Sequence, residues 1–309
     1  MARAADNGCM TVARELRRSW DEGRRVERMA YVTGAVLFAS GLVHLGVLVV
    51  SGGSWLGPLS LRKPTTFGLS FGLTLATVAW VTSFVTLRPS TRTILLGVFT
   101  AACVVETTLV SMQAWRGVPS HFNFESGFDT AVSMTLAAGG GVIILAVIGF
   151  TAAALRGATA IPPSMRLAVR FGLLTLLVAL GTGAIMIARG VVQARTGSPQ
   201  VAYTTAGALK PLHAVAMHAI LVLPALAWLL RFTGWSERRR VRLVWLAIAA
   251  YTVLTAVVAI ESFSGVSPLA APPIATTTSV IAIAVLAAAG AIALYGLLGR
   301  DRHPVRSSL

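Results

Sequence analysis

Charge is what this sequence has least of. Only 12% of its 309 residues are Asp, Glu, Lys or Arg, where a water-soluble domain carries about a quarter. That shortage leaves no soluble catalytic domain. Cysteine is nearly absent: Cys9 lies in the N-terminal tail and Cys103 inside an apolar run, so no disulfide and no CxxC pair is on offer. HxxxH and HExxH spacings are missing, which removes the common mononuclear zinc signatures. The N-terminus does not read as a signal peptide, because Asp6, Glu15, Asp21, Glu22 and Glu27 are mixed among its arginines.

What fills the chain instead is hydrocarbon. Hydrophobic residues make up 55% and mean hydropathy is +0.76. Apolar runs of about 20 residues, the length that crosses a bilayer, recur almost end to end. The pattern predicts an all-α, polytopic integral membrane bundle with eight spans, at 29–51, 66–87, 93–115, 128–155, 167–188, 211–232, 243–262 and 277–298. A cytoplasmic N-terminal segment, 1–28, amphipathic enough to touch the membrane surface, precedes the transmembrane domain, 29–298. A cytoplasmic tail, 299–309, follows. The run Gly139-Gly140-Gly141 predicts a break or tilt in span four.

A net charge of +15 first suggests nucleic acid, but the positions of the basic residues say otherwise. With the N-terminus inside, 19 of the 26 Lys and Arg fall on the inner side and six on the outer. This is the asymmetry of a plasma (inner) membrane protein with both termini cytoplasmic. That topology sends four of the five histidines, and every acidic residue within a span, to the outer half. An internal repeat is also suggested. Span two opens on Lys63-Pro64 and reaches Ala79-Trp80, span six opens on Lys210-Pro211 and reaches Ala227-Trp228, and spans three and seven carry Glu106 and Glu261. A four-plus-four duplication about an axis along the membrane normal would produce this match, as would coincidence in apolar sequence.

The stretch 113–123, Gln-Ala-Trp-Arg-Gly-Val-Pro-Ser-His-Phe-Asn, concentrates the chemistry, with Glu106 below it on the same helical face as Gln113. A carboxylate at mid-membrane costs about 3 kcal/mol, so Glu106 is expected to be paired or protonated, and to be functional. The bland alternative is a hydrogen bond to the Ser70, Thr74, Thr77 stripe of span two. Glu106, His121 and His213 are the candidate catalytic groups. Lys63, Gln113, Arg116, Asn123 and Lys210 are the candidate substrate contacts, the two lysines because a Lys-Pro helix start favours an anion. Interfacial snorkelling would explain either lysine alone. His44 and His218 are the candidate metal ligands. A haem held between His44 and a span-six histidine, or a transition metal, is the cofactor class they imply, with hydrogen-bonded packing the plainer use of each.

KPTTFGLS, QAWRGVPSHFN and LHAVAMHAILVLPAL, in this order, resemble a bacterial multi-spanning membrane family of unassigned function whose members show KPxKFxxS, QAxRGxxSHFN and an AHFxGMHALQxLPLL-like block. Gln113, Ala114, Arg116, Gly117, Ser120, His121, Phe122 and Asn123 carry the closest match, and His213, Met217 and His218 fit the third block. The approach to that block, Ala206-Gly207-Ala208-Leu209-Lys210-Pro211, lacks the acidic and arginine residues the family shows there. The resemblance covers roughly residues 60–230 and implies one fold without an activity.

Three functions fit these residues. The first is a membrane-embedded enzyme, in one version a haem- or metal-dependent oxidoreductase, acting in the outer leaflet on a lipid-soluble or amphiphilic substrate, with a lipid or an anionic small molecule as partner and no nucleic acid. The second is a proton-coupled transporter or exporter, and the third a structural subunit. An inner half with almost no ionisable lining favours the enzyme.

Overall fold

The computed structural model describes residues 12–15, 17–57, 59–157, 161–197, 202, 207–267 and 270–298. Among the described residues, eight helices are each long and apolar enough to cross a membrane. They are α1 (Arg25–Val50), α2 (Arg62–Ser83), α3 (Pro89–Trp115), α4 (Gly127–Arg156), α5 (Pro163–Thr196), α6 (Lys210–Leu230), α7 (Glu237–Phe263) and α8 (Pro273–Leu298). The chain is thus an all-α polytopic membrane bundle. The tail residues 1–11 and 299–309, Cys9 included, lie outside the described residues.

Local chemistry sets the helix starts. Glu27 accepts from the Arg24 backbone N–H as part of a capping box, and Pro89 and Pro163 stand at first-turn positions. Ser126 caps α4 by accepting from the Asp129 N–H. Gly139-Gly140-Gly141 does not interrupt α4, which runs unbroken from Gly127 to Arg156.

The closest helix pairs are α1–α2 and α5–α6. In the first, a Cβ on Gly68 would stand 2.6 Å from the backbone of Gly41, and one on Gly72 2.6 Å from the Gly34 carbonyl. Glycine allows this approach because dispersion between backbones, not the hydrophobic effect, joins helices in lipid. In the second pair, Gly172 lies against the Ile220 backbone. The two halves pack alike: α2 on α3 as α6 on α7, α3 on α4 as α7 on α8, and α1 on α3 as α5 on α7.

Where α2 meets α6, the contacts join matching residues. Ser70 Oγ lies 3.7 Å from the Met217 sulfur, a separation of 147 positions, and that shift carries Lys63-Pro64 onto Lys210-Pro211. Trp80 stacks edge-on against Trp228 with ring centroids 6.2 Å apart. Moved by the same shift to within one residue, Arg92 becomes Arg240 and Val85 becomes Thr233. Arg92 donates to the carbonyls of Val85 (2.6 Å) and Thr82 (2.5 Å) and reaches Glu27 at 3.4 Å. Arg240 donates to the Thr233 carbonyl (2.8 Å) and lies 3.6 Å from Glu237. The shift places Gln113, not Glu106, opposite Glu261, and Leu254 opposite Glu106.

The α1–α2 crossing is testable by melting the protein in detergent micelles. Gly68→Leu should lower stability by about 1–3 kcal/mol, the usual penalty of overpacking. Gly97, which has nothing within 4 Å of a Cβ position, should accept alanine without loss.

Candidate functional site

The polar residues gather at the end of the bundle where α2 and α6 begin and α3 ends. There the loop 116–126 folds back on the helices. Gly117 takes a left-handed φ of 67° just past α3, and Val118 donates back to the Gln113 carbonyl. Phe122 is the only non-glycine residue with a positive φ among the described residues, at 61°. Its ring sits in the notch that Gly190 leaves on α5, where any Cβ would clash with it. Ser133 of α4 donates to the Asn123 carbonyl (3.0 Å) and accepts from the Asn123 N–H (3.2 Å).

Asp129 fastens the same loop. It accepts from Gln113 Nε2 at 2.9 Å, from Arg116 at 2.6 Å and from Ser126 Oγ at 2.6 Å. Gln113 Oε1 accepts from Arg116 as well, and the guanidinium lies over the Phe128 ring. Both polar atoms of Gln113 are therefore engaged inside the protein. Asn123 Oδ1 caps the Glu125 N–H, while its buried Nδ2 has no protein partner.

Glu106 stands apart from this network. Val110, between it and Gln113 on one face of α3, packs with Val132, Leu136 and Phe67 into an apolar plug. The expected continuous polar surface is thus divided in two. Below the plug, Glu106 is buried, and its Oε1 has no hydrogen-bond partner. A Cβ on Gly139 would lie 2.6 Å from that oxygen, so the glycine makes the space the carboxylate occupies. Ser70 and Thr74 do not serve Glu106; both hydroxyls point to the Met217 sulfur on α6. Thr107 Oγ1 and Ser111 Oγ, also on α3, are buried without partners. Buried polar atoms seldom go unpartnered, so three orphans on one helix stretch mark a place for water or a ligand.

Lys63 is the basic residue that bears on Glu106. Its ammonium acts electrostatically on Glu106 and His121, with Arg62 and Lys210 beside it. No hydrogen bond or ion pair holds its side chain among the described residues. Lys63 and Lys210 are the only lysines in the sequence, and Lys210 is exposed at the rim. His121 meets Phe67 and Phe122 edge-on at 5.9 Å each, and its Nδ1 lies 3.1 Å from Ser120 Oγ.

The remaining histidines are placed elsewhere. His44 donates from Nδ1 to the Ser40 carbonyl (2.7 Å) and accepts at Nε2 from the Trp115 indole (3.0 Å), which ties α1 to α3. His213 Nδ1 bonds the Ala179 carbonyl across the α5–α6 contact at 2.7 Å, and His218 turns to the Ala214 carbonyl of its own helix. The donor set does not fit the expected haem or metal. Both nitrogens of His44 are taken, α1 and α6 share no extended interface, and no group of three His, Cys, Asp or Glu side chains converges among the described residues. Cys103 is buried and free.

Lys63 is thus the group that bears on both Glu106 and His121, which the apolar plug keeps apart, and Lys210 is exposed at the rim. Gln113, Arg116 and Asn123 form a second, loop-fastening group. Sequence reasoning missed Ser133, Gly139 and Gly190, and gave Asp129 no role. The Ser126-x-x-Asp129 cap spacing was a signal for Asp129; the others act only through neighbours distant in sequence. Comparison of the chain with family models, with curated proteins and with solved structures finds no match in any of the three.

Two measurements check this layout. Asp129→Ala should cost about 1–3 kcal/mol of stability by leaving Arg116 and Gln113 Nε2 without their acceptor. Burial first, and the Lys63 charge second, hold His121 well below the usual histidine range. The folded protein then binds fewer protons there than the unfolded chain, so stability should fall as pH drops below about 6.5. His121→Asn should flatten that slope in melting curves taken from about pH 5 to 8.

Proposed function

We propose that this protein is a membrane-embedded enzyme doing acid–base chemistry on an anionic amphiphile that enters from the outer leaflet of the plasma membrane. The observation that carries the reading is the buried carboxyl of Glu106, with an unpartnered oxygen in the space that Gly139 leaves, and Lys63 as the basic group that bears on it without a hydrogen bond or ion pair among the described residues. In this reading Lys63 and Lys210 hold the anionic group, Glu106 exchanges a proton with the substrate, and His121 is the second proton carrier. Gln113, Arg116 and Asn123 act at one remove, by fixing the loop that carries His121.

Enzyme is favoured over transporter by what lies beneath the site. Leu75, Val78, Leu96, Phe99, Val147, Phe150, Leu173 and Leu223 pack into a continuous core, and Trp80 and Trp228 close the far end of α2–α6. Polar groups that end on such a core suit chemistry better than passage. The matching contacts of the two halves support a further part of the proposal, a four-helix duplication. At the position of Glu106 the second half carries Leu254.

Reconstitution into vesicles of total bacterial lipid extract, followed by mass spectrometry of the lipids, tests this. The wild type should convert an anionic component, and Glu106→Gln should slow that conversion by about 10²–10⁴-fold, the usual worth of a general acid or base. Lys63→Gln should raise KM more than it lowers kcat. An unchanged lipid profile, or full activity in Glu106→Gln, would remove the reading.

A further inference from the structure

On the far side of α5 a groove of about 490 Å³ opens between α5, α6 and α7. Its walls include Thr175, Val178, Thr182 and Ile185 of α5 and Thr255 and Phe263 of α7. Val178, Ile185 and Phe263 are all exposed at the bundle surface, so the groove faces lipid.

The wall carries four threonines yet offers no hydrogen bond. Thr175, Thr182, Thr252 and Thr255 each turn the hydroxyl back to a carbonyl of their own helix, at 2.6–3.0 Å, and leave the methyl to the groove. Water needs two to four polar partners and finds none there. The occupant must be hydrocarbon. From Thr175 to Ile185 the groove follows α5 for about 15 Å, half the roughly 30 Å hydrocarbon thickness, which is the depth of one leaflet.

The corresponding place in the first half is shut. Gly34 meets α2 as Gly172 meets α6. His44 and Thr182 stand equally far along their helices from those glycines, and Trp115 corresponds to Phe263. In the first half His44 and Trp115 bond across α1 and α3. In the second half Thr182 and Phe263 leave the groove open. One helical turn beyond Ile185, on the same face of α5, Arg189 is exposed and has no hydrogen bond or ion pair among the described residues.

We propose that this groove is a binding slot for one acyl chain of an anionic phospholipid, whose phosphate is met by Arg189. The slot lies between α5, α6 and α7, whereas Glu106 and His121 lie among α2, α3 and α4. It stands whether or not the enzymatic reading does.

Native mass spectrometry of the full chain, with phosphatidylglycerol or phosphatidylcholine of equal chain length added, provides the test. The wild type should retain one phosphatidylglycerol under activation that strips other lipids. Ala256→Phe, which fills the groove, should abolish that retention, and so should Thr182→His combined with Phe263→Trp, which copies the closed half. Ala284→Phe, on the exposed face of α8, should not. Arg189→Gln should keep the chain bound but lower the preference for phosphatidylglycerol about fivefold, the worth of one basic residue at an anionic surface. Equal retention in the wild type and both groove variants, with melting temperatures showing that they fold, would overturn the proposal. An unaltered preference in Arg189→Gln would overturn its headgroup half, and that variant removes only a surface charge, so it reports even where a groove variant fails to fold.

Discussion

A hydrogen-bonding group inside hydrocarbon must find its partner within the protein, because the solvent around the bundle supplies none. Most of this structure obeys that demand by the shortest route. Threonines fold back on their own helices, His44 spends both nitrogens on Ser40 and Trp115, and Arg92 reaches the last carbonyls of the preceding helix. Against so consistent a background the exceptions are informative. Nine buried side-chain atoms lack a partner among the described residues, and three of them, Glu106 Oε1, Thr107 Oγ1 and Ser111 Oγ, fall together on one stretch of α3. Satisfied polar groups hold the fold, and unsatisfied ones mark where it meets something else.

The same contrast separates two groups that share a loop. Gln113, Arg116 and Asp129 close on one another, with Ser126 completing the carboxylate. Such a network stiffens its surroundings because no member has an alternative partner to drift toward. His121 is carried by that stiffened loop and is further fixed by the seating of Phe122 in the Gly190 notch. A backbone held at a positive φ by a bulky residue persists only where packing over-determines it, and here the ring in the notch supplies that packing.

Much of this was legible in the sequence. The eight spans were, because length and apolarity alone decide what crosses a bilayer. Their starts fall several residues early where Arg62-Lys63-Pro64 and Glu237 form first turns that reach out of hydrocarbon. α5 runs on to Thr196 because helix does not stop where apolarity does. Glu106, Lys63 and His121 could be picked out because each is costly where it stands. Gly139 and Gly190 could not, since what matters at each is a side chain arriving from another part of the chain. Arg92 and Arg240, each on a carbonyl of the turn before its helix, likewise show a likeness that only folded contacts reveal.

Those two arginines have a mechanical consequence. Each locks the turn between consecutive helices, α2 to α3 and α6 to α7, at the end remote from the lysines, and the two tryptophans brace the space between. The lysine end is tied as well, by the Asp129 network and the His44–Trp115 bond, so a disturbance at either rim meets hydrogen bonds before it reaches the apolar core.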